Sequence, residues 1–152
     1  MDVFVETERL VLRHFTEVDA DNLVELDGDS EVMRFINGGR PTQRDEVESD
    51  VLPAFPPGEV ELGYRLRRSA WGRGYATEGS RALIQKAFAD LSVERVFATT
   101  MAVNVASHRV MEKAGLRYIR TFHQPWPDYI EGEDEGDVEY ALLRSEWEQR
   151  EN

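Results

Sequence analysis

Apolar positions along the chain switch between two periods. From Val60 to Leu66, the side chains of Val60, Leu62, Tyr64 and Leu66 alternate with Glu61, Gly63 and Arg65, the period-two pattern of a strand with one buried face. Further on, Leu83, Ile84, Ala87, Phe88 and Leu91 recur at helical spacing, which predicts a helix with one apolar stripe. Trp71-Gly72-Arg73-Gly74-Tyr75-Ala76 joins the two. Upstream, Arg9 to Phe15 reads as a strand with Leu10 and Leu12 on one face, and Thr16 to Asp19 as a helix start. That helix runs to about Leu26 and breaks at Asp27-Gly28-Asp29; Ser30 then caps a short helix carrying Val32, Met33, Phe35 and Ile36. After a turn at Asn37-Gly38-Gly39, Thr42 with Asp45 or Glu46 starts another helix, with Val47, Val51 and Leu52 inward and Pro53 in its last turn. Downstream, Arg95 to Met101 is a buried strand, and a helix runs from about Val105 to Ala114 with Ala106, Val110 and Met111 on one face. Gly115 is its left-handed cap. Leu116 to Phe122 and Asp137 to Leu143 are the last strands, flanking an exposed proline-rich, acidic loop. These elements predict an α/β sandwich around a mixed sheet, with residues 1–152 as one domain.

The central strand, glycine turn and helix form an anion-binding device. Free N–H groups point out of the first helical turn, and the helix dipole favours negative charge there. Gly72 and Gly74 let a phosphate approach the backbone, and Arg67, Arg68 and Arg73 place three cations nearby. Gly72 and Gly74 alone favour an ordinary loop with solvated arginines over a phosphate site.

Charge and cysteine content narrow the function. The net charge is −12, from 30 acidic and 18 basic residues. That opposes nucleic-acid binding, and it suits either a cationic partner or simple solubility. With no cysteine there is no disulfide framework, no thiolate zinc site and no acyl transfer through a cysteine thioester. No apolar run is long enough to span a bilayer, and the acidic start MDVFVETERL does not read as a secretory signal. These features predict a cytoplasmic protein without membrane contact. His14, His108 and His123 are isolated, and the acidic run Glu131, Glu133, Asp134, Glu135 and Asp137 lacks EF-hand spacing. No metal site is expected.

The central stretch resembles the acetyl-CoA-binding segment of the GNAT superfamily of N-acetyltransferases. That family's Gln/Arg-x-x-Gly-x-Gly/Ala signature is filled by Trp71 to Ala76, with Trp71 in place of Gln/Arg. The run WGRGYATEG is similar to the branch containing the ribosomal-protein N-terminal acetyltransferases of the RimJ and RimL type. So are the later Asn104, Ser107, Val110, Glu112, Lys113 and Gly115, and the opening Glu6 to Arg13. The resemblance covers nearly the whole chain.

It implies a GNAT-like mixed central sheet flanked by helices, and acetyl transfer from acetyl-CoA to a primary amine by direct attack in a ternary complex. Gly72, Arg73, Gly74, Tyr75, Ala76 and Thr77 would then hold the pyrophosphate, with Arg67 nearby. The backbone of Tyr64, Arg65 and Leu66 would pair with the pantetheine arm where the two central strands splay. Glu61 is the candidate to accept the amine proton through water, or else a surface strand residue. Ser107 is the candidate proton donor to the leaving sulfur, or else a first-turn polar residue, with Asn104 as cap and cofactor contact. Lys113 and Arg109 either reach the adenosine phosphates or complement the helix C-terminus. The acceptor is a protein N-terminus or a small-molecule amine. The other reading is a non-catalytic acyl-CoA-binding or regulatory module on the same fold.

One family feature has no counterpart. A two-strand hairpin normally precedes the fourth family strand, but only Pro56-Pro57-Gly58 separates Phe55 from Glu59. Either the hairpin is deleted, or the residues flanking an unseen segment are joined. The first strand then pairs with the fourth or with another chain, which leaves a homodimer open.

Overall fold

The computed structural model describes residues 3–37, 58–125 and 129–151. Gly38 and Gly39 of the expected turn, the helix from Thr42 and most of the Phe55–Glu59 connection lie outside the described residues, while Asn37 ends α2. Strands β1 (Val3–Glu6) and β2 (Val11–Arg13) are followed by helices α1 (Ala20–Asp27) and α2 (Arg34–Asn37). Then come β3 (Glu59–Glu61), α3 (Tyr75–Asp90), β4 (Arg95–Met101), α4 (Val105–Lys113), β5 (Arg117–Phe122), β6 (Asp137–Leu143) and α5 (Arg144–Glu151).

The main sheet has the order β3-β4-β6-β5. β3 runs parallel to β4, and the β4–β6 and β6–β5 pairs are antiparallel, so the sheet is mixed as expected. No further strand flanks β3 among the described residues. The chain at Arg9–Phe15 behaves differently from both expectations. Only Val11–Arg13 is strand, and it pairs with β1 in a separate antiparallel ribbon. β1 thus takes up the ladder groups that an isolated first strand would leave open.

The core lies between the sheet and the α3–α4 layer. Ile84, Ala87 and Phe88 of α3 and Met111 of α4 pack on Val96, Ala98, Tyr140 and Leu142. Two sequence expectations fail at this layer's margins. Leu91 is half exposed, because α3 ends at Asp90 and Ser92, at φ 57°, turns the chain toward β4. Ala106 is exposed rather than inward. Gly115, at φ 100°, closes α4 as expected: its N–H bonds the Glu112 carbonyl and that of Leu116 bonds Met111. In the acidic loop Ile130 is buried, which anchors a segment expected to be wholly exposed. Helix α5 has no apolar periodicity; Trp147 alone reaches the core edge, its ring 5.4 Å from that of Phe88.

Carboxylates tie the elements together. Asp19 is buried and gripped by both Arg13 Nη atoms and the Thr16 N–H. Arg13, then the Thr16 N–H, hold its carboxyl well below the usual range. Glu139 lies between Arg95 and Arg120; burial pushes its carboxyl up, but the two guanidinium groups more than offset this and leave it depressed. Depressed carboxylates contribute stability that is fully present above their unfolded values and is lost as pH falls toward the folded ones. We therefore expect a melting temperature that is level near neutrality and declines below about pH 4, with Asp19→Asn shallowing that decline. A melting temperature that does not change on acidification would contradict these pairings.

Candidate active site

The site begins where two parallel strands separate. β3 pairs with β4 through Glu61, and the last rung is Leu62 N–H to the Phe97 carbonyl at 2.7 Å. β4 continues alongside β6 as far as Met101. From Gly63 to Leu66 no ladder bond to β4 forms among the described residues, so the expected splay is present and this backbone is available to an added extended ligand. Among the described residues only the Leu66 carbonyl is engaged, by the Trp71 indole N–H at 3.0 Å. That bond closes the 66–71 turn and gives Trp71 a structural use at the signature's first position.

Past the turn, Gly72 and Gly74 adopt φ of 73° and 79°, a conformation costly for other residues. Space beside Gly72 is open for 4 Å around the position of an added Cβ. The first hydrogen bond at the start of α3 is Glu78 N–H to the Gly74 carbonyl at 3.0 Å. The N–H groups of Tyr75, Ala76 and Thr77 precede it and face outward, as a bound phosphate requires.

A cleft of about 710 Å³ runs along this edge. It collects Tyr64, Arg65, Leu66, Gly72, Gly74, Tyr75, Ala76, Thr77, Asn104 and Ser107 in its wall, so most of the expected cofactor residues converge. Three do not. Arg67 and Arg73 are exposed and outside the lining, and Glu61 is exposed on β3 and also outside it. Arg67 and Arg68 face α1 and the turn after it, at 3.7 Å from Glu25 and 2.6 Å from Asp29. Arg65 joins buried Asp27 at 2.8 Å. These arginines fasten the 65–68 segment to the N-terminal helices rather than clustering at the glycine turn.

The cation beside that turn is one the sequence did not single out. Arg9 donates to Glu78 Oε1 at 2.6 Å and to the Arg73 carbonyl at 2.8 Å, and it stacks over the Tyr75 ring at 4.7 Å. Its Nη2 sits 3.4 Å from where a Gly74 Cβ would lie. The Thr7 hydroxyl, with Arg9, holds the Glu78 carboxyl below its ordinary range. The β1–β2 ribbon therefore braces the glycine turn.

At the inner end, the Tyr64 hydroxyl donates to the Ser107 carbonyl at 2.8 Å and lies 2.9 Å from Ser107 Oγ. A phenol carries one proton, so Ser107 Oγ–H donates to Tyr64 in this arrangement. Burial pushes the Tyr64 hydroxyl up from its usual value, opposed by the bond to Ser107; it stays protonated near neutrality. Asn104 caps α4, its Oδ1 accepting from Ser107 N–H at 3.4 Å. His108 Nε2 contacts the Met101 carbonyl at 3.2 Å. The Tyr64–Ser107 pair went unseen in the sequence, where Tyr64 was a backbone contact.

Comparison with known proteins agrees with this geometry. A family model described as an acetyltransferase (GNAT) domain matches residues 50–117. The chain is 30% identical over 181 positions to the FsC-acetyl coenzyme A-N(2)-transacetylase of Aspergillus fumigatus, covering 94% of this chain and 77% of that protein. The alignment is longer than the 152-residue chain, so part of that relative falls opposite gaps here. The crystal structure of a GNAT-family acetyltransferase from Bacillus anthracis matches with a TM-score of 0.77 at 26% identity, covering 96% of this chain and all of that one. RimL, a ribosomal L7/L12 alpha-N-protein acetyltransferase solved with coenzyme A, shares the fold with a TM-score of 0.77 at 18% identity, covering 93% and 98%. The chain belongs to the GNAT family of acetyltransferases. It is an acetyl-CoA-dependent N-acetyltransferase, with acetyl-CoA as co-substrate.

Proposed function

We propose that the cleft transfers the acetyl group directly to a primary amine, on a small molecule or a protein N-terminus, with both substrates bound at once. The observation that carries this reading is the Tyr64–Ser107 pair at the inner end of the strand splay. Bound there, acetyl-CoA supplies an activated acyl carbon and a thiolate leaving group.

The residues divide the remaining work. The Gly72–Thr77 backbone and Arg9 bind the pyrophosphate, and the free edge at Tyr64, Arg65 and Leu66 aligns the pantetheine arm. As the amine nitrogen bonds to the acyl carbon and the carbon–sulfur bond breaks, Ser107 Oγ–H donates to the departing sulfur. Tyr64 then turns its proton from the Ser107 carbonyl to Oγ, so the serine is never left as an unsupported oxyanion. Glu61 takes the amine proton through water from the opposite sheet face. It points away from buried Leu62, and the adjoining Gly63 has open space around it. The chain's −12 charge favours approach of a cationic amine. Among the described residues α2 and the turn before it line the acceptor end, with Phe35 and Ile36 of α2 as apolar contacts and Glu31 of the turn as a carboxylate.

Glu61 provides a test of this division. Glu61→Gln is expected to reduce turnover most at low pH, where the amine is chiefly protonated, and to leave acetyl-CoA affinity intact. A pH–rate profile identical to the parent's removes Glu61 from the reaction.

A further inference from the structure

We propose that Asp29 is a positioning residue for the amine acceptor, acting with Arg68 as a clamp that holds the acceptor wall against the segment that aligns acetyl-CoA. The proposal rests on the reading above that α2 and the turn before it line the acceptor end. Neither Asp29 nor Arg68 lines the cleft, so the pair acts only through what it holds.

Asp29 organises the acceptor side. It follows α1 and Gly28. Its carbonyl accepts the Met33 N–H at 3.1 Å, and its Oδ1 accepts the Glu31 N–H at 3.0 Å. The turn it opens runs into α2, where the Ile36 N–H bonds the Met33 carbonyl at 3.0 Å. Met33 is buried, which seats the turn on the body of the protein. Glu31, Phe35 and Ile36 reach the cleft from this stretch, so their placement depends on where Asp29 is held.

Arg68 organises the other side. It opens a single 3₁₀ turn, Arg68–Ala70, between the free edge at Tyr64, Arg65 and Leu66 and the glycine turn. Its carbonyl accepts the Trp71 N–H at 3.1 Å, and both Ala70 and Trp71 line the cleft. Its guanidinium grips Asp29 as a fork, Nε to Oδ2 at 3.1 Å and Nη2 to Oδ1 at 2.6 Å. Arg68 holds the Asp29 carboxyl below its ordinary value, so both partners are charged near neutrality. Oδ1 thus accepts from the cofactor-side guanidinium and from the acceptor-side backbone together. A fork fixes direction as well as distance, which a lone ammonium does not. Arg68 is more than half exposed, and pairs of that kind add little to global stability. What this one fixes is the spacing between the two walls of the cleft.

The test follows thiol release at saturating acetyl-CoA against a panel of amines that includes spermidine, glucosamine and a peptide with a free N-terminus. Arg68→Ala leaves the hydrogen bonds of the Asp29 turn in place. It should raise KM for the accepted amine about fivefold, the scale of one bidentate pair at a surface. The kcat, the affinity for acetyl-CoA and the melting temperature should stay nearly unchanged. Asp29→Asn keeps an oxygen for the Glu31 N–H but loses the charge, and should match that result. The double variant should be no worse than either single one, and Arg68→Lys should recover part of the loss. A merely structural role would lower the folded fraction, and so kcat, without moving KM. An unchanged amine KM in both single variants, additive effects in the double variant, or a fall in kcat alone overturns the clamp. Absence of amine-dependent release by the parent across the panel overturns the acceptor reading itself, and the clamp with it.

Discussion

Gly74→Trp should abolish acetyl-CoA binding while the far-ultraviolet circular dichroism of the protein is preserved. Gly74 sits at φ 79°, so a side-chain-bearing residue there costs about 1–2 kcal/mol. That lies within the roughly 5–15 kcal/mol stability of an ordinary domain. Binding has no such margin. An indole on Gly74 projects toward Arg9 Nη2, 3.4 Å from the Cβ position, and fills the place where the pyrophosphate meets the first-turn N–H groups. Hydrogen bonds to charged groups contribute about 1.5–3 kcal/mol each, so losing two weakens the complex on the order of 10²–10⁴-fold. A folded variant with parental affinity for acetyl-CoA would remove the glycine turn from the binding site.

The second large effect concerns turnover. Ser107→Ala should reduce kcat by about 10²-fold or less, because a weakly acidic hydroxyl sits at the low end of general-acid contributions. Acetyl-CoA affinity should barely change, since the hydroxyl matters mainly when charge develops on sulfur. Tyr64→Phe removes the phenol that supports it and should lower turnover in the same direction. The double variant should be scarcely worse than Ser107→Ala alone, as expected for two groups acting through one proton. If Ser107→Ala weakens acetyl-CoA binding and spares turnover, Ser107 is a cofactor contact or a helix-start residue.

Much of this site was readable because it is local. Val60 to Leu66, the glycine turn and the start of α3 are adjacent in sequence, and period, glycine positions and cap chemistry report each piece. Asn104 and Ser107 lie in one cap. The Tyr64–Ser107 contact spans 43 residues and depends on how far β3 departs from β4 and on how α4 packs, neither of which leaves a periodic signal. Arg9 reaches the turn from a ribbon 64 residues upstream of Arg73, so charge counting picked out the nearby arginines instead. Arg67 and Arg68 then found closer carboxylates on Glu25 and Asp29. Helix α5 escaped because its sequence, RSEWEQRE, carries no apolar stripe and only Trp147 docks. Leu91 misled for the opposite reason: it continues the α3 stripe in sequence after the helix has ended.

Direct transfer within this cleft makes a kinetic commitment, since the chain has no cysteine to carry an acyl group. The decisive measurement is the initial rate of coenzyme A thiol release over a grid of acetyl-CoA and amine concentrations, with the amine first chosen from a panel of small-molecule and peptide N-terminal acceptors. Direct transfer predicts release that depends on amine and double-reciprocal lines that intersect, because both substrates must be bound before the carbon–sulfur bond breaks. Parallel lines would show that the acetyl group first rests on the protein. Tight acetyl-CoA binding with no amine-dependent release across the panel would contradict the catalytic reading and leave a module that only binds acyl-CoA.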